Sequence, residues 1–188
     1  MDLRISKTLH RSATVQGLKP ILFLNKLFPL WFTLFCLANP DRLWSCVGLI
    51  TLPIATKIIV RRPRPNDSHP HIFKSVNGTR YVGLDLYSFP SGHATLYAFF
   101  CFYYWFPWPM WIIFAISSLA RSCIGVHWFS DVVGGWIQGL LLAILFDMPV
   151  YSLLNGVGTL IAALAFLWLE VPSLIKSLNV NGLFKGNR

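Results

Sequence analysis

Charged side chains are scarce in this sequence. Only 12% of its 188 residues are charged, and 7 acidic residues stand against 16 lysines and arginines. Hydrophobic residues make up 55% of the chain and aromatic residues 15%, which is typical of membrane proteins and not of soluble domains. The composition therefore argues against a soluble protein.

Cysteine is also rare, and the paired spacing of metal ligands is missing. The four cysteines, Cys36, Cys46, Cys101 and Cys123, are isolated within apolar segments. In such places cysteine behaves as a small hydrophobic residue. We therefore expect no disulfide, no zinc or other metal site, and no cofactor.

The net charge of +9 does not indicate nucleic-acid binding. The basic residues do not form a soluble basic face interleaved with exposed aromatic residues. They are concentrated in the N-terminal segment, between Arg61 and Arg80, and near the C-terminus. Charge at such places is typical of the segments that flank membrane helices.

Several apolar stretches approach the roughly 20 residues that a helix needs to cross a bilayer. We expect helices at 20–38, 43–60, 91–106, 109–126, 131–151 and 156–172. The predicted fold is an all-α, polytopic membrane bundle of about five or six transmembrane helices. Its predicted parts are a basic N-terminal surface segment (1–19), a single transmembrane domain (20–172) and a polar C-terminal tail (173–188), and the oligomeric state stays open.

Three polar islands interrupt the apolar pattern, each at the end of a predicted helix. They are KIIVRRPRP (57–65), FPSGHAT (89–95) and ARSCIGVHWFSD (120–131). When the chain is followed from one crossing to the next, all three islands reach the same face of the membrane. Ionisable groups at membrane depth are costly and commonly mark functional sites.

The islands contain three cations that together favour an anionic ligand. Lys57, Arg64 and Arg121 suit a tetrahedral phosphate, because it offers oxygens to several donors at once. Ser91 and Gly92 stand at a predicted helix start, where backbone N–H groups and the positive end of the helix dipole attract anions. We interpret the islands as parts of one phosphate site.

Two histidines and a carboxylate add chemistry to this site. His127 and Asp131 are four residues apart, so on one helix face the carboxylate would hold the imidazole N–H and fix its tautomer. An oriented neutral imidazole is a candidate nucleophile. His93, at the other helix end, is a candidate general acid.

In order and spacing, these motifs resemble those of the type 2 phosphatidic acid phosphatase (PAP2) superfamily, in particular its bacterial membrane lipid phosphatases. Lys57 to Pro65 fits K-x6-R-P, Pro90 to His93 fits P-S-G-H, and Arg121 to Asp131 fits the core of S-R-x5-H-x3-D. The resemblance implies that His127 forms a phosphohistidine, with Asp131 as its partner and His93 as the acid. The phosphate binders that it implies are Lys57, Arg64, Ser91, Gly92 and Arg121.

Some residues depart from the motifs or lie outside them. Ala120 stands where the family usually has serine, and the loss of one hydrogen bond to phosphate would cost about 0.5 to 1.5 kcal/mol. Arg61 and Arg62 are interpreted as interfacial charge. Tryptophans such as Trp105, Trp108, Trp111 and Trp128 are interpreted as residues of the membrane interface.

The function that the resemblance implies is hydrolysis of a lipid phosphomonoester or pyrophosphate without a metal. Candidate substrates in the bilayer are phosphatidic acid, phosphatidylglycerol phosphate, undecaprenyl pyrophosphate and lipid A phosphate. Two alternatives stay open: phosphate transfer to another lipid, and binding of phospholipid headgroups without catalysis. Lys74 and Arg80, in the loop from Asn66 to Phe89, are predicted to recognise the headgroup.

The side of the membrane depends on segment 20–38. If this segment spans, the basic N-terminus shares the face of the site, and the excess of positive charge places that face in the cytoplasm. If it only enters the surface, the site faces outward. Lys26 weakens the spanning interpretation, and members of the family commonly act on the external leaflet. We therefore expect the site on the outer face of a bacterial inner membrane.

Overall fold

The structure is a computed structural model that describes residues 1–12, 15–73 and 86–180. Its helices are α1 (Asp2–Ser12), α2 (Val15–Ala38), α3 (Leu43–Val60), the short α4 (Pro65–Ser68), α5 (Gly92–Tyr104), α6 (Trp108–Cys123), α7 (Phe129–Leu145) and α8 (Pro149–Val180). The predicted all-α membrane bundle is confirmed. Lys74 and Arg80 lie outside the described residues.

Three stretches are long and apolar enough to cross a membrane, namely Gly17–Ala38, Pro40–Ser68 and Pro149–Trp168, and α7 is a shorter apolar helix. Many large apolar side chains point out of the bundle, including Trp31, Leu37, Leu153 and Leu164. Such an apolar exterior suits a membrane, because the exposed side chains contact lipid tails and not water.

Contacts between α2 and α5 show the relative direction of these helices. The backbone oxygen of Asn25 in α2 contacts His93 in the first turn of α5, and Phe35 of α2 packs edge-on against Phe100 and Tyr104 near the end of α5. The two helices are therefore parallel. Because α3 follows α2 after a short turn at Pro40–Arg42, it runs back, and we call the end of the bundle where α3 ends and α5 begins the site face.

Helix α8 runs in the same direction as α3. The Tyr151 hydroxyl donates to the backbone oxygen of Ser45, and further along both helices Asn155 accepts from Thr51. Close approach is possible because Gly48 has no side chain, and a Cβ there would lie 2.7 Å from the Tyr151 hydroxyl oxygen. Hydrogen bonds of this kind hold membrane helices together where no water competes.

Helices α5 and α7 are packed against each other through small residues. A Cβ on Gly135 would lie 2.7 Å from the backbone oxygen of Ser91 and 2.8 Å from the Ala94 methyl group. One turn later, a Cβ on Gly139 would collide with the backbone of α5 and lie 2.7 Å from the Ala98 methyl group. The glycines four residues apart let the two backbones approach closely, which places the start of α5 beside the start of α7.

Several predicted boundaries change. The segment expected at 131–151 is two pieces, because α7 spans Phe129–Leu145 and α8 begins at Pro149. The helix expected to begin at Pro20 starts at Val15, and α8 continues to Val180. The division of the chain at 19 and 172 therefore falls inside helices, and the surface segment and tail stay predictions.

The N-terminal helix α1 lies at the site face. The Nδ1 atom of His10 is 2.6 Å from the backbone oxygen of Cys123 at the end of α6. Asp2 forms an ion pair with Arg62, whose guanidinium lies 2.5 Å away. The first residues of the chain are thus attached to the end of the bundle that carries the polar islands.

Candidate active site

The structure brings the three polar islands together at the site face. The Arg64 guanidinium of the first island donates to the backbone oxygen of Val126 in the third, at 2.8 Å. The backbone N–H of Ser91 in the second island donates to the backbone oxygen of Asp131, at 3.0 Å. Every site residue predicted from the sequence therefore lies on one of three segments that contact one another.

His127 is at the centre of this arrangement, in the connection between α6 and α7. Its side chain is only 2% exposed, and its Nδ1 atom lies 2.8 Å from the backbone oxygen of Ser88. A carbonyl oxygen only accepts, so Nδ1 carries the hydrogen and Nε2 keeps its lone pair. The imidazole is held in the tautomer that a nucleophile at Nε2 needs.

The predicted hydrogen bond from His127 to Asp131 is not formed. The nearest carboxylate oxygen is 3.7 Å from Nδ1, beyond hydrogen-bond distance. That oxygen accepts the backbone N–H of Trp128 at 2.8 Å, because Asp131 occupies the third position of α7 and its side chain turns back to cap the helix start. The backbone oxygen of Ser88 therefore fixes the tautomer of His127, a role that the sequence analysis assigned to Asp131.

Asp131 instead pairs with an arginine that the sequence motifs did not include. The Arg62 guanidinium lies 2.8 Å from the second Asp131 oxygen, and the Asp131 side chain is 0% exposed. A buried carboxylate is stable only when it is paired and hydrogen-bonded. The interpretation of Arg62 as ordinary interfacial charge was therefore wrong.

The electrostatics of the site keep His127 neutral. Burial first, and then the neighbouring positive charges, lower the pKa of His127 well below its usual range. Those charges belong to Arg64, Arg121, Lys57 and His93. The same surroundings that would attract a phosphate thus leave the imidazole with an available lone pair.

Two of the three predicted phosphate-binding cations are strongly buried. Arg64 is 0% exposed and Lys57 is 6% exposed, while Arg121, in the last turn of α6, is partly exposed. Charged side chains are almost never buried to this degree unless they have binding partners. Three positive charges around one histidine form a site complementary to a multiply charged anion.

Ser91 and Gly92 stand at the start of α5, as the sequence predicts. Ser91 is fully buried, and among the atoms that the structure describes its hydroxyl has no hydrogen-bond partner. Within residues 1–12, 15–73 and 86–180, no atom lies within 4 Å of a Cβ built on Gly92, which leaves open space beside the helix start. A phosphate oxygen would satisfy the hydroxyl and the first N–H groups of the helix together.

His93 occupies the first turn of α5 and contacts α2. Its Nε2 atom lies 3.3 Å from the backbone oxygen of Asn25. The Asn25 side chain accepts from the Tyr97 hydroxyl at 2.6 Å and donates to the backbone oxygen of Ser117. Asn25, a polar residue in an otherwise apolar segment, is thus a buried link between α2, α5 and α6.

Trp128 also differs from its prediction as an interfacial residue. Its side chain is buried, and its indole N–H donates to the backbone oxygen of Pro63 at 2.9 Å. The Arg62 guanidinium lies over its ring, 5.4 Å from the centroid. Trp105 and Trp108 at the opposite end of the bundle are largely exposed, as the interfacial interpretation expects.

The part of the chain that carries this site matches a known protein family. A family model described as the PAP2 superfamily matches residues 41–151. This chain belongs to the PAP2 superfamily. The matched range contains all three motifs and ends in the first turn of α8. Comparison with curated proteins and with solved structures gives no significant match.

Membership of the PAP2 superfamily indicates phosphatase or phosphotransferase activity on lipid-like substrates. It assigns the chain broadly to the phosphoric ester hydrolases. The apolar helices associate it with a membrane.

Proposed function

We propose that this PAP2 protein is a lipid phosphatase of the bacterial membrane type, which hydrolyses a lipid phosphomonoester or pyrophosphate through a phosphohistidine. The observation that carries the proposal is the state of His127. It is buried and neutral, its Nδ1 is bound to Ser88, and three cations surround it. A protein that only bound headgroups would need the cations but not an oriented nucleophile.

The reaction has two steps. Lys57, Arg64 and Arg121, with the Ser91 hydroxyl and the N–H groups at Gly92, bind the phosphoryl oxygens and stabilise charge in the transition state. The His127 Nε2 lone pair attacks phosphorus as the bond to the lipid oxygen breaks, and His93 donates a proton to that oxygen.

In the second step, water attacks the phosphorus of the phosphohistidine. His93, now neutral, takes a proton from that water, the bond between phosphorus and Nε2 breaks, and inorganic phosphate leaves. The imidazole then regains its lone pair with Nδ1–H still bound to Ser88. If a second lipid alcohol takes the place of water, the same intermediate gives phosphate transfer.

The proposed reaction is tested by phosphate release from purified protein in detergent, in the presence of a chelator. We expect release from at least one of phosphatidic acid, phosphatidylglycerol phosphate, undecaprenyl pyrophosphate and lipid A phosphate. Loss of lipid phosphate without inorganic phosphate would indicate transfer to another lipid. Binding of these lipids with neither product would support the headgroup-binding alternative and contradict the proposal.

We infer that the site face lies in the cytoplasm. The outward orientation expected from the sequence assumed that segment 20–38 does not span, whereas α2 runs from the site face to the far face. Basic side chains at the site face outside the phosphate site include Arg4, Lys7, Arg11, Lys19 and Arg61. At the far face, Arg42 pairs with Asp147 at 2.7 Å. This asymmetry supports a cytoplasmic site by the positive-inside rule.

Cysteine labelling in intact cells tests this orientation. In a background without the four native cysteines, Arg4→Cys reports on the site face and Asp41→Cys on the far face, since both positions are exposed. We expect a membrane-impermeant maleimide to label Asp41→Cys in intact cells and Arg4→Cys only after permeabilisation. The reverse pattern would place the site outside and contradict the inference.

A further inference from the structure

The helix α1 supplies hydrogen-bond acceptors to the start of α7. The Asp2 carboxylate accepts the backbone N–H of Ser130 at 3.1 Å, and the Ser6 hydroxyl accepts that of Phe129 at 2.9 Å. These N–H groups belong to the first turn of α7 and have no acceptor within their own helix. Asp2 and Ser6 are four residues apart, so one face of α1 caps the helix that carries Asp131.

Asp2 reaches the predicted catalytic residues through Arg62. One guanidinium nitrogen of Arg62 donates to Asp2 at 2.5 Å, and the other donates to Asp131 at 2.8 Å and to the Ser130 hydroxyl at 2.5 Å. Burial alone would raise the pKa of Asp2, but hydrogen bonds from Ser130 and Arg62 outweigh it and lower the pKa. Asp2 is therefore a carboxylate at neutral pH.

Arg62 is also connected to the second group that orients His127. Its backbone oxygen accepts the Ser88 N–H at 2.8 Å and the Ser88 hydroxyl at 3.2 Å. The Ser88 carbonyl in turn holds Nδ1 of His127. The main chain of Arg62 thus positions Ser88 and its side chain positions Asp131, so both neighbours of the imidazole depend on one residue.

We propose that Asp2 and Arg62 are positioning residues of the active site, through which the N-terminal helix holds His127 and Asp131 in their reactive arrangement. This inference rests on the proposed function for its kinetic consequence, but the geometry that it describes does not. Asp2 orients the Arg62 guanidinium, Arg62 holds the buried Asp131, and Asp131 caps the helix start next to His127. Neither residue is required to touch the phosphate.

A double-mutant cycle measures this coupling. Arg62→Gln removes the charge while keeping a side chain that donates hydrogen bonds, and Asp2→Asn removes the negative charge while keeping an oxygen acceptor for Ser130. We expect kcat to fall on the order of 10- to 100-fold for Arg62→Gln and by a smaller factor for Asp2→Asn. Because Asp2 acts through Arg62, the double variant should lose less than the product of the two single losses.

The split between kcat and KM separates positioning from binding. A positioning role lowers kcat and leaves KM nearly unchanged, whereas a phosphate-binding role for Arg62 would raise KM and would overturn the proposal. Arg61→Gln is the matched control, because it removes the same charge from the adjacent residue. The Arg61 side chain is exposed, and its Nε atom donates to the local Ile58 oxygen. We expect full activity from this control.

A second readout does not depend on catalysis. Acylation of histidine by diethylpyrocarbonate, mapped by mass spectrometry, reports how well His127 is held in its buried place. We expect His127 to react several-fold faster in Arg62→Gln and Asp2→Asn than in the parent protein and in Arg61→Gln. Unchanged His127 reactivity in both variants would overturn the inference even if the parent protein is an active phosphatase. Faster reactivity in a protein without phosphatase activity would sustain the inference and reject the proposed function.

Discussion

His127→Gln should reduce the hydrolysis of lipid phosphate by at least about 10⁴-fold, because it removes the nucleophile and not merely a binding group. Glutamine is a conservative replacement, since it is polar and uncharged and its volume is close to that of the imidazole. The measurement is the rate of inorganic phosphate release at saturating lipid, with the folded state of the variant followed by thermal unfolding in the same detergent.

His69→Gln is the matched control for this substitution. His69 lies edge-on to the Trp128 ring, with centroids 5.8 Å apart, yet it has no place in the proposed chemistry. We expect this variant to keep most of its activity. Substantial hydrolysis by a folded His127→Gln variant would show that another group, or water itself, attacks the phosphate.

Gly139→Leu should nearly abolish activity without touching any group of the site. The substitution puts a large side chain where a Cβ would already collide with the α5 backbone. Overpacking of this kind costs about 1 to 3 kcal/mol or more. It also moves α5, with Ser91 and His93, away from α7, and a displacement of about 1 Å at reacting groups can cost about 100-fold in rate. We expect at least that loss, together with a lower Tm in detergent.

Gly156→Leu tests whether this effect comes from the close approach of α5 and α7. Gly156 lies within α8, and a Cβ on it would meet no atom of the described part of the chain within 4 Å, so leucine at this position has room. Activity and Tm should stay near those of the parent protein. Equal losses in the two leucine variants would indicate a general sensitivity of the bundle, and the proposed role of Gly139 would be wrong.

The sequence was sufficient to predict that the three polar islands meet at one end of the bundle. The apolar stretches indicated membrane helices, and the polar islands fell at their ends, so their convergence followed from the order of crossings. Residue types carried the rest of the prediction, since cations, histidines and a glycine at a helix start have recognisable chemistry. For this reason Lys57, His93 and His127 could be named before the structure was known.

The contacts that the sequence did not predict are those made by backbone atoms or by residues outside the motifs. The Ser88 carbonyl orients His127, but a carbonyl oxygen is common to every residue type and leaves no signature. Asp131 was expected to bind His127 because the two residues are four apart. Its side chain instead accepts the backbone N–H of Trp128 and caps the start of α7. Arg62 was interpreted as interfacial charge because its partners, Asp2 and Asp131, are distant along the chain.

The sequence also did not show whether α2 extends from one end of the bundle to the other. Asn25, Lys26 and Pro29 weaken the apolar character of this segment, and a short surface helix was a reasonable expectation. The structure gives Asn25 partners in α5 and α6, so its polar groups do not oppose burial. Because α2 can then cross the membrane, the charges at the two ends of the bundle can be compared, and this comparison is the basis of the proposed cytoplasmic orientation.

Trapping of the phosphorylated enzyme would test whether His127 is the nucleophile. Purified protein would be mixed with radiolabelled lipid phosphate, quenched within milliseconds to seconds and digested, with the labelled peptide identified by mass spectrometry. The account predicts an acid-labile, alkali-stable phosphate on His127, present in the parent protein and absent from His127→Gln. Label on another residue, or full turnover with no labelled peptide at any quench time, would contradict it.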